Sequence, residues 1–514
     1  MKLPSDMGSM ALKTVPSPLQ LVQVSLEHGL EDYEAIASLA GAAAELRHEV
    51  AGLVKRLTGR TVWQVSSTAT GGGVAEMLPA IMRLLRDLGV HSEWAVIGSG
   101  EPAFFQLTKR IHNLIHGIGV PEFTAAEREL FERVNQENAC ALAELIRPGD
   151  IIVVHDPQPV PLAGLLRAAA PIHAIWRCHI GLDTENAATR AAWRFLSPYL
   201  DAYQQSVFSA PEYLPEQLAG RATVIHPAID PLGPKNRELA LGETVEVLCN
   251  SGLISCPGPT VHPPYAARAQ RVRHDGTLAP ADSGESIGLL TRPIVTQVSR
   301  WDRLKGFLPL MRAFTALKQQ AQDPGHTSDL VHRRRLDLVR LVLAGPEPSG
   351  VADDPEATGV LDEMRGAYAE IPPRIQQDIA LLLLPMQSPE QNALMVNALQ
   401  RASTIVVQNS LREGFGLTIA EAMWKRIPVL SNSRACGPRQ QVRDGLDGRL
   451  IHDPEDEAEL LRVLDEMLAN WEGRLHWGRT AQRHVHDRFL VFAQLRSWAT
   501  LLNDSLLDER RIPS

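Results

Sequence analysis

Apolar residues in this chain fall into two alternating textures: short unbroken runs, and longer stretches in which they recur every three or four positions. Ile151–Val154 is an unbroken run and reads as a buried strand, and Val62–Ser66, Glu93–Ile97, Ile172–Cys178, Val207–Ser209 and Ala222–Ile225, with polar residues interspersed, also read as strands. Val74–Leu88 and Phe104–Leu145 belong to the second and read as helices. Ahead of them, Leu21–Arg60 places Ile36, Leu39, Ala43 and Leu46 at helical spacing, predicting one or two leading helices. Strand then helix, repeated, is the pattern of an open parallel sheet. It stops at Ile229. Asp230–Ser286 carries Pro231, Pro234, Pro257, Pro259, Pro263, Pro264 and Pro280 with little periodicity, and reads as a linker with an inserted loop. His262 and Tyr265 in it read as part of a surface excursion.

A second alternation starts at Ile294–Val298. Leu338–Leu343, Ala380–Leu384, Thr404–Val407, Val429–Ser431 and Gly448–Ile451 supply its further strands. Helices are expected after Gly306 through Gln320, then over Pro355–Ala369, Ser388–Arg401, Gly416–Arg426, Glu455–Leu468, Arg474–Phe489 and Leu490–Leu507. The expected class is therefore α/β, with two Rossmann-like, doubly wound domains. Their expected bounds are 1–60 for a helical extension, 61–235 for the first domain, 236–290 for the linker, 291–487 for the second domain and 488–514 for a last helix. No short-period repeat is present.

Length agrees with two domains, since 514 residues exceed one ordinary core. The net charge of −9 argues against a nucleic-acid partner, whose polyanion needs a basic face. Met1–Pro18 is mixed and polar, and no apolar run approaches roughly 18 residues, so neither export nor membrane spanning is expected. Cys140, Cys178, Cys249, Cys256 and Cys436 are scattered without a Cys-x2-Cys pair, which predicts neither a zinc site nor a disulfide framework and fits a cytoplasmic protein.

The densest chemistry lies in Val406–Pro428, read as strand, tight loop and short helix. Gly414 and Gly416 break the loop, and the amides from Gly414 through Phe415 and Gly416 to Leu417 lie at a helix start, where orphan N–H groups and the helix dipole favour a phosphate. Glu413 and Glu421 flank them as hydroxyl acceptors. A surface loop with two solvated glutamates is the plainer reading of this stretch taken alone. Gly71, Gly72 and Gly73 sit between a strand and a helix, where they suit either a ligand's approach or a tight turn; the run is not a Gly-x-Gly-x-x-Gly fingerprint. His155-Asp156 and Arg177-Cys178-His179 close two strands, the ends at which doubly wound sheets collect ligands. Gly345 closes another. Arg300 and Lys305 follow Val298, and a lysine at a helix start opposes the macrodipole unless an anion is there. No Asp-x-Asp motif stands out, and Asp353-Asp354 reads as surface.

Glu413-Gly-Phe-Gly-Leu-Thr-Ile-Ala-Glu421-Ala-Met resembles the signature of the retaining GT-B glycosyltransferases of family 4. Thr-Ala-Thr-Gly-Gly-Gly-Val-Ala-Glu-Met-Leu, His-Asp-Pro-Gln-Pro, Trp-Arg-Cys-His-Ile and Gln-Val-Ser-Arg-Trp-Asp narrow the likeness to the trehalose glycosyltransferring synthases and retaining trehalose phosphorylases. The resemblance covers most of residues 40–235 and 293–500. It implies two domains facing each other across a cleft, with the last helix crossing back to the first. It assigns Glu413 to the transferred hexose and Glu421 to the nucleotide ribose, with Asp156 and His179 orienting the hexoses; Arg300 and Lys305, read from their position as cations for the diphosphate, also suit a solvated loop. It implies a nucleoside diphosphate sugar donor, a small sugar-like acceptor, no cofactor, no required metal and front-face attack with retention. A homodimer, a phosphorylase and a non-catalytic sugar-nucleotide sensor stay open. Two departures stand out: the 236–290 insertion, and Ala435-Cys436-Gly437-Pro438-Arg439 where the family carries Gly-Gly-Ile-Pro.

Overall fold

The structure is a computed structural model. It describes residues 12–14, 18–24, 28–69, 73–323, 325–348 and 356–508. Gly71, Gly72, Asp353, Asp354 and most of the Met1–Pro18 segment lie outside these. The chain divides into two compact units, one of residues 1–230 with 490–514 and one of residues 231–489.

The first unit is built on an eight-stranded sheet. Its strands are β1 (Leu12–Thr14), β2 (Gln20–Val22), β3 (Val62–Ser66), β4 (Ser92–Val96), β5 (Ile151–His155), β6 (His173–Cys178), β7 (Gln205–Phe208) and β8 (Ala222–Val224), in the order β1-β2-β4-β3-β5-β6-β7-β8. From β4 to β8 every pairing is parallel, while β2 joins β4, and β1 joins β2, antiparallel. Every residue of β3, β5 and β6 is buried, as a sheet covered on both faces requires. The reading of 1–60 as purely helical needs correction. Helices Leu30–Glu34 and Ala40–Leu57 do form, but β1 and β2 ahead of them extend the sheet. Leu12–Thr14 holds one apolar residue and Gln20–Val22 two, too few to mark a strand, and the antiparallel pairing of β2 with β4 and β1 with β2 supplies what local pattern cannot. The last helix, Val491–Asp508, packs on Ala40–Leu57, with Arg496 bonded to Glu45 at 2.8 Å and Phe492 edge-on to Tyr33.

The second unit holds β9 (Gln270–Val272), β10 (Leu278–Pro280), β11 (Ile294–Val298), β12 (Arg340–Pro346), β13 (Ile379–Leu384), β14 (Ile405–Val407), β15 (Val429–Asn432) and β16 (Gly448–Ile451), in the order β10-β9-β13-β12-β11-β14-β15-β16. Its two cores follow from strand periodicity. Ile379, Leu381 and Leu383 enter one cluster, and Ala380, Leu382 and Leu384 the other, so both faces are covered by helices. Residues 236–290 are not a linker. Helix Leu241–Asn250 packs on helix Pro389–Arg401, and β9 and β10 extend the sheet antiparallel beyond β13.

That segment also corrects the cysteine reading: Cys249 and Cys256 form a disulfide, and Cys140, Cys178 and Cys436 lie outside it. The helix end at Asn250 and the turn after it bring the two together, which their spacing alone does not announce. With a disulfide present, the cysteines no longer argue for a reducing compartment. Among the described residues, no helix is long and apolar enough to cross a membrane.

Candidate functional site

In a doubly wound sheet the ligand crevice opens where the strand order reverses direction. Each unit has such a point. In the second it lies between β11, whose neighbour on one side is β12, and β14, which starts the other half of the sheet. The loop after β11 carries Arg300 and Lys305; the loop after β14 carries Glu413. The fold brings these two loops together. Lys305 Nζ donates to Glu413 Oε2 at 2.7 Å, and the same oxygen accepts from Ser410 Oγ at 2.9 Å and Gln408 Nε2 at 3.2 Å. Lys305 and Glu413 are 16% and 12% exposed, so water screens the pair little. Lys305 ends the single turn Arg303–Lys305, which Asp302 caps through the Leu304 N–H. Its partner in Glu413 corrects the macrodipole argument, because a carboxylate already offsets the charge at this helix start. Arg300 is exposed beside it.

The turn is fixed from below. Gly306 has φ +63° and starts helix Phe307–Gln320, and a Cβ there would lie 2.1 Å from the Asn409 carbonyl oxygen, so only glycine fits. Buried Asn409 donates through Nδ2 to the Gly306 and Pro454 carbonyls, and Gln297 Nε2 donates to the Lys305 carbonyl. Sequence reasoning missed Gln408, Asn409 and Ser410. The available signal was three polar residues directly after a buried strand, where each is now at most 2% exposed.

Gly416, with φ +82°, turns the chain into helix Leu417–Trp424. Phe415 is buried edge-on to Phe489, its carbonyl accepting from Gln441 Nε2 at 2.5 Å. A Cβ on Gly437 would lie 2.4 Å from that same oxygen. The departing Ala435–Arg439 segment therefore forms the wall against which the Glu413–Leu417 loop rests. Glu421 is buried on the helix, with Lys235 Nζ 3.8 Å from its Oε1. One turn on, Lys425 Nζ donates to the Glu421 carbonyl at 3.0 Å and to Gln400 Oε1 at 2.8 Å. Burial pulls the Lys425 pKa down to about 7, against the opposing pull of Glu421. Gly345 lies against the loop after β11, where a Cβ would come 2.8 Å from the Ser299 carbonyl oxygen. A Cβ there would lie 2.6 Å from the Trp301 ring, so its missing side chain makes room for the indole.

In the first unit the order reverses between β3 and β5. Gly73 opens helix Gly73–Asp87 after β3. Asp156 follows β5 with φ +61°, a conformation uncommon outside Gly, Asn and Asp. Its Oδ1 accepts the His179 backbone N–H at 2.8 Å, which ties the ends of β5 and β6 together. Burial raises the Asp156 pKa to about 6, with the His179 N–H and Arg177 working the other way. Burial and then Arg177 lower His179 well below the usual histidine range and take His155 to about 3, so both rings are neutral at physiological pH.

Each unit thus has a crevice at its switch point, the second with a cation paired to a carboxylate below a glycine turn. Residues 64–215 match the family model "Trehalose synthase, N-terminal domain", and residues 386–484 match "Glycosyl transferases group 1". The fold is similar to that of an α,α-trehalose-phosphate synthase (UDP-forming) from Burkholderia vietnamiensis, with a TM-score of 0.62 at 17% identity over 88% of this chain and 100% of that one. The protein is thus a GT-B glycosyltransferase of the retaining hexosyltransferase class.

Sequence relatives narrow this further. The chain is 31% identical over 477 residues to the trehalose synthase of Pyrococcus horikoshii, covering 92% of this chain and 96% of that protein. It is 26% identical over 411 residues to the trehalose phosphorylase of Pleurotus sajor-caju, covering 76% of this chain and 51% of that one. The chain belongs to the trehalose synthase family, as the motifs after β3, β5, β6, β11 and β14 suggested.

Proposed function

We propose that the protein transfers glucose from a nucleoside diphosphate glucose to a free sugar or sugar-like acceptor, with retention, giving an α-linked product of the trehalose type. The observation that carries this reading is the Lys305–Glu413 pair at the switch point of the second unit. Arg300 and Lys305 neutralise the leaving diphosphate, which dispenses with a metal, and Glu413 accepts from the hydroxyls of the transferred hexose. Glu421 takes the ribose, and the amides of Gly414 to Leu417 face the phosphates. In the first unit Asp156 and His179 orient the hexoses. The acceptor attacks from the leaving-group face, and the departing phosphate oxygen takes its proton.

Similarity to trehalose phosphorylases supports a second reading, in which inorganic phosphate occupies the diphosphate position and the reaction runs between phosphate, a glucoside and glucose 1-phosphate. One panel separates the two. Purified protein is incubated with UDP-, ADP- or GDP-glucose and glucose, and separately with trehalose and phosphate, while released nucleotide, glucose 1-phosphate and the product's anomeric proton are followed. Nucleotide release with an α,α-linked product supports the transferase. A β anomer refutes retention, and phosphorolysis without any nucleotide-dependent transfer replaces the first reading by the second.

A further inference from the structure

Gln64 on β3, His155 at the end of β5 and His179 just past β6 form one row across three adjacent strands of the first unit. His155 Nε2 lies 2.7 Å from Gln64 Oε1, and His155 Nδ1 lies 3.0 Å from His179 Nε2, with the two imidazoles nearly parallel. A neutral imidazole has one N–H and one bare nitrogen, and the partner of one nitrogen decides the state of the other. An amide oxygen can only accept. His155 Nε2 therefore carries the proton, His155 Nδ1 is bare, and the bond between the rings is made by the N–H at His179 Nε2. That leaves His179 Nδ1 bare, and it has no protein partner.

We propose that Gln64 and His155 are positioning residues which lock His179 in its Nε2–H tautomer, so that Nδ1 meets the substrate as a hydrogen-bond acceptor selecting a sugar hydroxyl. The inference rests on the glycosyl-transfer reading above. Gln64 and His155 are both deeply buried, so bulk solvent does not compete for the bonds of the row. Gln64, His155, Arg177 and His179 form the polar end of a cavity of about 30 Å³, room for one or two waters, otherwise walled by apolar side chains such as Met77 and Trp498. Arg177 Nη2, on the same cavity, also lacks a partner. A hydroxyl, which donates and accepts, complements a bare nitrogen beside an N–H. A phosphate or carboxylate oxygen would set its own lone pairs against that of Nδ1.

The test uses the full chain labelled with nitrogen-15 in histidine and long-range proton–nitrogen correlation, His179→Asn and His155→Asn serving to assign the signals. In the wild type, His179 shows a bare Nδ1 and a protonated Nε2. In Gln64→Met, which keeps volume and removes the acceptor, both tautomers appear, and kcat/KM with the active nucleotide sugar and glucose falls about 10-fold, the worth of one misdirected hydrogen bond. A protonated Nδ1 in the wild type overturns the proposal even if Gln64→Met fails to fold, and so does an unchanged His179 tautomer in a folded Gln64→Met. Absence of transfer with every donor would instead sink the glycosyl-transfer reading, while the wild-type spectrum would still report the tautomer.

Discussion

Asp156→Asn should make the protein more stable and less active at neutral pH. The Asp156 carboxyl is raised from 3.8 to about 6 chiefly by burial, so its ionised form is disfavoured in the folded state. The sign follows from proton counting. Between pH 3.8 and about 6 the folded protein binds more protons than the unfolded chain, so stability falls as pH rises through that window and stays reduced above it. A shift of about 2 units corresponds to roughly 3 kcal/mol. The side chain keeps some solvent at its strand end, which screens part of this, and asparagine loses the charged acceptor for the His179 N–H. A net gain of about 1–2 kcal/mol above pH 6 remains. Asparagine tolerates the positive φ about as well as aspartate, so backbone strain stays the same in both proteins.

Urea unfolding of the two proteins at about pH 4 and about pH 7.5 measures the difference directly. The expected result is near equality at the lower pH and a higher midpoint for Asp156→Asn at the upper one, alongside lost transfer to sugar and retained binding of the nucleoside diphosphate. A stability difference independent of pH would refute the claim that burial penalises this carboxylate. Full transfer by a folded Asp156→Asn would remove the residue from the sugar site. Stability lost to keep a carboxylate ionised is what a functional group, rather than a structural one, leaves behind.

Three further substitutions test the second unit. Glu421→Gln should raise the donor KM and weaken nucleoside diphosphate binding about 10-fold by titration calorimetry, with kcat little changed, because the ribose contact serves ground and transition states alike. Gly437→Ala places a Cβ 2.4 Å from the Phe415 carbonyl oxygen and must push the Glu413–Leu417 loop aside. It should cost about 1–3 kcal/mol in unfolding experiments and raise the donor KM. Lys305→Ala should lower kcat by about 100- to 1,000-fold while nucleoside binding stays within a few fold, read from turnover and calorimetry together.

The sequence showed the sheets wherever strands are buried on both faces. β13, and β5 up to Val154, are continuous apolar runs because neither face meets water, and that texture is local. β1, β2, β9 and β10 were missed because Leu-Lys-Thr, Gln-Leu-Val, Gln-Arg-Val and Leu-Ala-Pro carry no apolar run and add antiparallel to a sheet edge that no window of sequence contains. Helix Leu241–Asn250 was hidden by the prolines around it, although Thr244, Val247 and Leu248 do lie on one buried face. The site divides the same way. As candidates, Glu413, Gly416 and Asp156 are visible by residue type at a strand end or loop, and Glu421 by its spacing from Glu413. The Lys305–Glu413 bond joins residues 108 apart, and the Gln64–His155–His179 row joins three separate strands. Such pairings require the strand order, which follows from long-range packing.

The pairing of Lys305 with Glu413 bears on how the site would divide its work between binding and catalysis. A solvated lysine would lend its full charge to a bound diphosphate and mainly tighten the ground state. Here the ammonium already faces a carboxylate at 2.7 Å in a poorly screened loop, so a diphosphate gains only the difference between competing anions. On the glycosyl-transfer reading proposed above, that difference would grow as the sugar–phosphate bond breaks, because negative charge builds on the leaving oxygen while the oxocarbenium-like sugar becomes positive beside Glu413. Both halves of the pair then interact more favourably than they did with the intact donor, which is the condition for raising kcat without lowering KM. Substituting Lys305 alone would forfeit that gain and leave Glu413 without its strongest partner, whereas Lys305→Arg, with a longer fork and dispersed charge, should retain nucleotide binding and recover turnover only in part. A Lys305→Ala protein whose loss lay entirely in KM would show that the pair serves binding, and this account of the transition state would fail.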